Sequence, residues 1–267
     1  SKHIVNFKYV ENELYVQCNG DYIDAPVVVM DWVDGVALDK FIEQNTDDSF
    51  RLKFLAYNFV DFINWLKRMP FAHGDLKPDN ILVEKDCTII IIDYDGMFVP
   101  SMHSMESNEI GSPNYQHPLR NPSHFSKDID DFSLLIIIIE ILYSQIGVGT
   151  TLPLFLESDF HNPMNSQNIK RILPSLNTAL NIAIVTMVNS LIDNHIKIDN
   201  GTFNTIGSIV KKQYYEASRS ELARIKEFYS LHKGSLRAFN KRGHRGAEEN
   251  YPVFPSVYVS GYDYKDD

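Results

Sequence analysis

From Ile4 to Gln17 apolar and polar residues alternate, with Tyr, Phe and Val prominent, and this period of two predicts strands. Another strand is expected over Ala25-Pro26-Val27-Val28-Val29-Met30, running into Asp31-Trp32-Val33-Asp34-Gly35. The period then lengthens. Ala37–Glu43 and Phe50–Lys67 read as helices, and in the second Leu52, Leu55, Phe59, Ile63 and Leu66 share one face. Ser49 is its expected N-cap, Lys67 and Arg68 suit the negative end of its dipole, and Pro70 stops it. Ile81–Val83 and Thr88–Ile92 predict a short hairpin. The run from Asp130 to Leu142 is apolar almost all round, as a helix inside a core must be. More helices are expected from Leu152 to Tyr215, with Leu180, Ile184, Met187, Val188 and Leu191 in helical phase, and one more over Ser218–His232.

Composition narrows the class. The 267 residues are 44% hydrophobic, enough for one large domain or two lobes with a proper core. A net charge of -10 makes a nucleic-acid backbone a poor partner. Cys18 and Cys87 have no paired spacing, which fits a reducing compartment and no zinc site. The most apolar run, Leu134–Ile139, meets Glu140 and is too short for a bilayer. A soluble, cytoplasmic protein without a membrane partner is expected. Lys233–Arg245 is a basic cluster, expected to be a solvated tail. Asp263-Tyr264-Lys265-Asp266-Asp267 coincides with the start of a common epitope tag and is set aside for the fold.

Chemistry concentrates in Ala72-His73-Gly74-Asp75-Leu76-Lys77-Pro78-Asp79-Asn80-Ile81-Leu82-Val83 and, further on, Ile91-Ile92-Asp93-Tyr94-Asp95-Gly96. No nucleophilic side chain stands out there. The residues are acceptors and one cation, suited to a hydroxyl, a phosphate and a metal. Asp75 can take a hydroxyl proton, Lys77 offers positive charge to a phosphoryl group, and Asn80 and Asp93 are hard oxygen ligands of the kind Mg²⁺ takes beside phosphates. A plain β-turn joining helix to hairpin would account for Pro78 and Asp79. It gives no reason for Lys77 or Asp93.

Asp75, Lys77, Asn80 and Asp93, at these offsets, resemble the catalytic loop and metal-binding motif of eukaryotic-like Ser/Thr protein kinases. The resemblance runs from about Ala25 to Tyr215. It implies an α+β, bilobal fold, with a partial β-rich amino lobe and hinge over 1–36, a mainly helical carboxyl lobe over 37–215, and a helix and tail over 216–267. It implies ATP and Mg²⁺ as cofactors and a protein Ser or Thr hydroxyl as acceptor. Asp75 and Lys77 become catalytic and Asn80 and Asp93 metal ligands. Met30 takes the gatekeeper place, the backbone of Asp31 and Val33 would bond adenine, and Leu82 would floor the ring. Gly111-Ser112-Pro113-Asn114-Tyr115-Gln116-His117-Pro118 resembles the substrate-docking segment, with Ser112 bonding the catalytic Asp and Lys. Met97–Ile110 takes the place of the activation segment, and Asp130 would accept hydrogen bonds from the catalytic-loop backbone.

The chain also departs from that pattern. No Gly-x-Gly-x-x-Gly precedes the hinge, Lys2 and Lys8 lack the usual strand setting, and Gly147-Val148-Gly149 falls in a helical region, as an interhelical loop. A start near the fourth strand of the amino lobe, in a fragment of a longer protein, is the expectation. Gly74 stands where an Arg normally clamps an activation-segment phosphate, which argues against activation by that route. Asp95 stands where the family has Gly, and Leu119 where it has a structural Glu. Two other functions are in view. His73-Gly74-Asp75 also occurs in small-molecule kinases of the aminoglycoside or choline type, and the missing phosphate-clamp parts suit a pseudokinase binding module.

Overall fold

The computed structural model describes residues 2–19, 21–146, 151–173 and 177–240. The glycines at 147 and 149, residues 241–245 of the basic cluster and 263–267 lie outside them. Two strands, β1 (Phe7–Cys18) and β2 (Asp21–Met30), form an antiparallel hairpin whose register slips between Val10 and Leu14. The strand expected over Ala25–Met30 is present but largely exposed. Phe7, Tyr15, Tyr22, Val28 and Met30 are each at least half exposed, because a two-stranded ribbon cannot cover its own faces. The chain ahead of it is anchored instead. Ile91 N–H donates to His3 O (3.0 Å), the His3 Nδ1–H donates to Ile89 O (2.6 Å), and the His3 ring packs on Phe62 and Trp65.

A second sheet of β3 (Gly35–Ala37), β4 (Ile81–Glu84) and β5 (Ile89–Ile91), antiparallel throughout, carries the expected hairpin. Helix α1 (Leu38–Gln44) follows β3, and α2 (Ser49–Leu66) delivers the chain to the site. The N-cap of α2 is Asp48, not Ser49: its carboxylate accepts from Arg51 N–H at 2.9 Å. The helix starts one residue earlier than its apolar stripe suggests, so Ser49 is already inside it. Lys67 does more than sit on the dipole. Its ammonium is bonded to Asp131 and, at 3.2 Å, to Asp128, tying the end of α2 to the next core helix.

That helix, α3 (Asp131–Ser144), is buried at every one of its 14 positions. It packs against α2 and α6 (Thr178–Asp193), with the short α4 (Glu157–His161) and α5 (Gln167–Ile172) between them in sequence. In α6 Leu180, Ile184, Met187 and Leu191 are buried, as their spacing predicts. The separate helix expected over Ser218–His232 is instead part of one continuous helix, α7 (Asn200–Asn240). Its first turns dock on α2 and α6 through Phe203, Ile206 and Val210 and a stack of Tyr214 on Phe54 and Tyr57. The fold is α+β: a small antiparallel sheet region above a mainly helical body centred on α2 and α3. Among the described residues no helix is long and apolar enough to cross a membrane.

Candidate active site

The loop between α2 and β4 is held open by its backbone before any side chain acts. Gly74 has φ +88°, and a Cβ there would lie 2.0 Å from Gly96 O. No residue with a side chain fits, Arg included, which is the physical reason for glycine at this place. The close approach puts the turn after β5 directly on the loop. Asp93, at the start of that turn, also has a left-handed backbone (φ +67°), which Asp tolerates better than most residues. Gly96 itself needs no positive φ. A Cβ on it would make only ordinary contacts, so the conformational demand of the Asp93–Gly96 turn falls on Asp93.

Asp130, at the head of α3, fixes the loop from below. Its Oδ2 accepts from His73 N–H (2.6 Å) and its Oδ1 from Gly74 N–H (2.8 Å). It makes no cap bond to its own helix, so its carboxylate is spent on the loop. Burial pushes its pKa up, against these two backbone bonds and the charge of Arg120. The His73 Nε2–H donates to Ile92 O (2.8 Å), leaving Nδ1 to accept from Asp75 N–H (3.3 Å).

Asp75 is then the centre of a convergent set. Its Oδ1 accepts from Ser112 N–H at 2.7 Å; its Oδ2 lies 3.1 Å from Lys77 Nζ and 3.2 Å from Asn80 Nδ2. Asn80 Nδ2 also donates to Asp75 O at 2.9 Å. Burial would lower the pKa of Lys77, but its bond to Asp75 and the charges of Asp75, Asp79 and Asp93 outweigh that and raise it. The ammonium stays charged. The structure thus brings Asp75, Lys77, Asn80, Asp93 and Ser112 to one place, with one correction. Ser112 meets Asp75 through its backbone N–H, not its hydroxyl, because Gly111 at φ +85° turns the amide inward. A Cβ on Gly111 would sit 2.8 Å from Asp75 Oδ1, so the approach requires that glycine too.

The donor set fits a metal shared with phosphates. Asn80 spends its amide nitrogen on Asp75, which leaves its Oδ1 as a neutral oxygen donor, and among the described residues the Asp93 carboxylate has no ion pair or hydrogen bond. No group of three His, Cys, Asp or Glu that could hold a metal occurs among the described residues, so an all-protein cage is not what these residues build. Two hard oxygens beside a phosphate site are what Mg²⁺ takes. At the other edge, Asp31 N–H is taken by Asn6 O (3.1 Å) and its carboxylate accepts from Asn6 Nδ2 (2.9 Å), which leaves its carbonyl for a ligand. Met30 is half exposed, while Val33 and Leu82 are partly covered.

Three participants carried little signal in the sequence. Arg120 is buried, and its Nη1 donates to Gly74 O at 2.8 Å and to Gln116 Oε1. Gln116 Nε2 donates to Ser133 Oγ (3.3 Å), whose hydroxyl donates to Tyr115 O (2.8 Å). Leu119, beside Arg120, is exposed. Tyr94 OH, which the motif's usual Phe lacks, donates to Ile91 O (2.7 Å) and accepts from Val5 N–H (3.0 Å).

Below the docking segment Tyr115 OH donates to both oxygens of buried Glu140 (3.2 Å each), and Leu154 N–H donates to Oε1 (2.9 Å). Burial pushes the Glu140 carboxyl from 4.5 up to about 8. A raised carboxyl favours the protonated fold, so its stabilisation is complete below the unfolded value and disappears as pH rises through the folded one. Between pH 6.5 and 8 stability should fall by up to about 1.4 kcal/mol per pH unit. Glu140→Gln should flatten that slope in urea titrations; an unchanged slope in the variant would refute the assignment.

Comparison with known proteins agrees with this geometry. The family model for the protein kinase domain matches residues 1–215, most of the chain. The chain belongs to the protein kinase family. As a kinase-family chain it is 27% identical over 117 residues to the SNF1-related protein kinase catalytic subunit alpha KIN12 of Arabidopsis thaliana, covering 43% of this chain and 24% of that protein. It is 29% identical over 118 residues to CBL-interacting serine/threonine-protein kinase 21 of the same plant, covering 43% and 28%. With the Rho-associated protein kinase let-502 of Caenorhabditis briggsae it shares 29% over 154 residues, covering 54% and 12%. The matched part is thus less than a third of each relative's length.

Proposed function

We propose that this chain transfers the γ-phosphoryl group of ATP, with Mg²⁺, to Ser or Thr hydroxyls of proteins in the cytoplasm. The observation that carries the reading is the set of groups around Asp75: an ammonium, an amide and a backbone N–H all aim at one carboxylate. Those contacts hold its position and leave acceptor capacity free for a substrate hydroxyl. Asp75 orients that hydroxyl and takes its proton, and Lys77 stands 3.1 Å away to meet the charge on the phosphoryl group. Asn80 Oδ1 and Asp93 would hold the metal. Bound ATP·Mg²⁺ supplies the activated phosphoryl group and the charge that neutralises it. The Asp31 carbonyl and Val33 N–H would bond adenine, Met30 would border it and Leu82 would lie under it. Ser112 and the segment after it form a wall for a peptide, which favours a protein over a small-molecule acceptor. The three relatives are protein kinases by name, one of them a serine/threonine-protein kinase, and this supports the same acceptor class.

Calorimetry of ATP binding to this chain, with and without Mg²⁺, tests it. Mg²⁺-dependent binding that Asp93→Ala removes, with phosphate transfer to Ser/Thr peptides, is the expected result. Absence of nucleotide binding would replace this reading by that of a protein-binding module.

A further inference from the structure

Arg120 is the least expected residue in the site. It is 7% exposed, it donates to the carbonyl of Gly74, and its Nε and Nη2 are buried without a hydrogen-bond partner among the described residues. Burial works against its charge, and the carboxylates of Asp130 and Asp75 favour it. A guanidinium with donors left over is an unfavourable thing to bury, and an apolar side chain would fill the space without that penalty. Something must be gained by its one well-placed nitrogen.

The bonds around it show what that is. Gly74 is gripped on both sides of its Cα: Asp130 takes the N–H of the peptide before it and Arg120 the C=O of the peptide after it. Gly74 immediately precedes Asp75, so its carbonyl belongs to the same peptide unit as the Asp75 amide. The other end of the Arg120 contact is Gln116, which Ser133 of α3 holds. Ser112, four residues before Gln116, meets Asp75 directly. Arg120 therefore closes a ring that runs from α3 through the docking segment to the catalytic loop and back to α3 at Asp130. Gly74 has no side chain with which to hold itself, and glycine has more backbone conformations open to it than any other residue, so its φ of +88° is one of many that it could adopt.

We propose that Arg120 is a positioning residue that locks the Gly74–Asp75 peptide to the docking segment, so that Asp75 is held in place by the chain itself. The lock uses only hydrogen bonds already formed, and no phosphate on the segment before Gly111 takes part in it. It deepens the phosphoryl-transfer reading and rests on it for its catalytic consequence; the geometric claim can be tested separately.

The experiment is amide hydrogen exchange on the whole chain, read at His73, Gly74, Asp75 and Ser112, for wild type, Arg120→Lys and Arg120→Met. Losing a charge-assisted bond corresponds to about 10- to 100-fold in a local opening equilibrium. Arg120→Met should speed exchange at those four amides by about that factor, with α3 amides unchanged. Arg120→Lys keeps the charge on a shorter side chain, so it should recover part of the protection. Should the Met variant fail to fold, faster exchange of the loop alone in the Lys variant carries the same prediction. Loop exchange unchanged in either folded variant, or α3 exchange rising in step with it, would overturn the proposal. In peptide phosphorylation the Met variant should lose kcat with KM for ATP held, and phosphatase treatment of wild type should leave kcat as it was. A loss of kcat on phosphatase treatment would overturn the phosphate-free lock. If wild type transfers no phosphate while the exchange pattern holds, the lock stands and the kinase reading falls.

Discussion

Asp75→Asn should lower kcat for peptide phosphorylation by about a hundred- to ten-thousand-fold while the affinity for ATP stays nearly unchanged. Asn keeps the shape and one oxygen, so the bond from Ser112 N–H can survive. What it cannot do is accept a proton, or offer an anion to Lys77 at 3.1 Å. Its amide hydrogens would also face Lys77 Nζ and Asn80 Nδ2, both donors, where the carboxylate accepted from each. The change falls on the proposed hydroxyl and phosphoryl positions, and the segment at Asp31 and Val33, proposed above to bond adenine, is left intact. Rapid-quench kinetics beside nucleotide titration separates the two quantities. A parallel loss of both would mean that Asp75 holds the nucleotide and does not act on the acceptor.

Gly74→Ala, a change of one methyl group, should be almost as damaging for a different reason. The new Cβ would lie 2.0 Å from a backbone oxygen at Gly96, and neither backbone has a free direction in which to yield. The loop is pinned by Asp130 and Arg120, and the Gly96 turn is pinned at Tyr94 through Ile91 and Val5. Left-handed backbone alone costs an L-residue about 1–2 kcal/mol, and a clash relieved only by shifting backbone adds to it. A loss of about 2–4 kcal/mol in urea unfolding is expected, together with loss of measurable transfer. Gly96→Ala is the control. Its Cβ meets nothing closer than 3.5 Å, so it should be much milder. Equal effects at the two positions would show that the close approach of these turns does not govern the site.

Much of this was legible along the chain because it depends on neighbours in sequence. The helical stripe of α2, the apolar run of α3 and the alternation of the strands are periodicities, and they report which face each element buries. Asp75, Lys77 and Asn80 lie within six positions of one another, so a turn and one short 3₁₀ segment suffice to bring them together. Where an end had two candidates the pattern failed: Asp48 and Ser49 are both good caps, and only the backbone shows which of them precedes the helix. The exposure of β2 failed for a similar reason, since an apolar strand reads the same whether or not anything covers it.

The sequence alone, then, determined which acceptors and which cation this protein carries in its loop and turn, and in what order they come. Tertiary structure decided how they are held. The bond from Arg120 to Gly74 joins residues 46 apart, and that from Asp130 to Gly74 joins residues 56 apart. The use of the Ser112 amide in place of its hydroxyl depends on a left-handed glycine one residue earlier. Whether Gly74 is required depends on where the Gly96 carbonyl arrives from another turn. Such contacts leave no periodic trace, because they are set by where distant backbones meet.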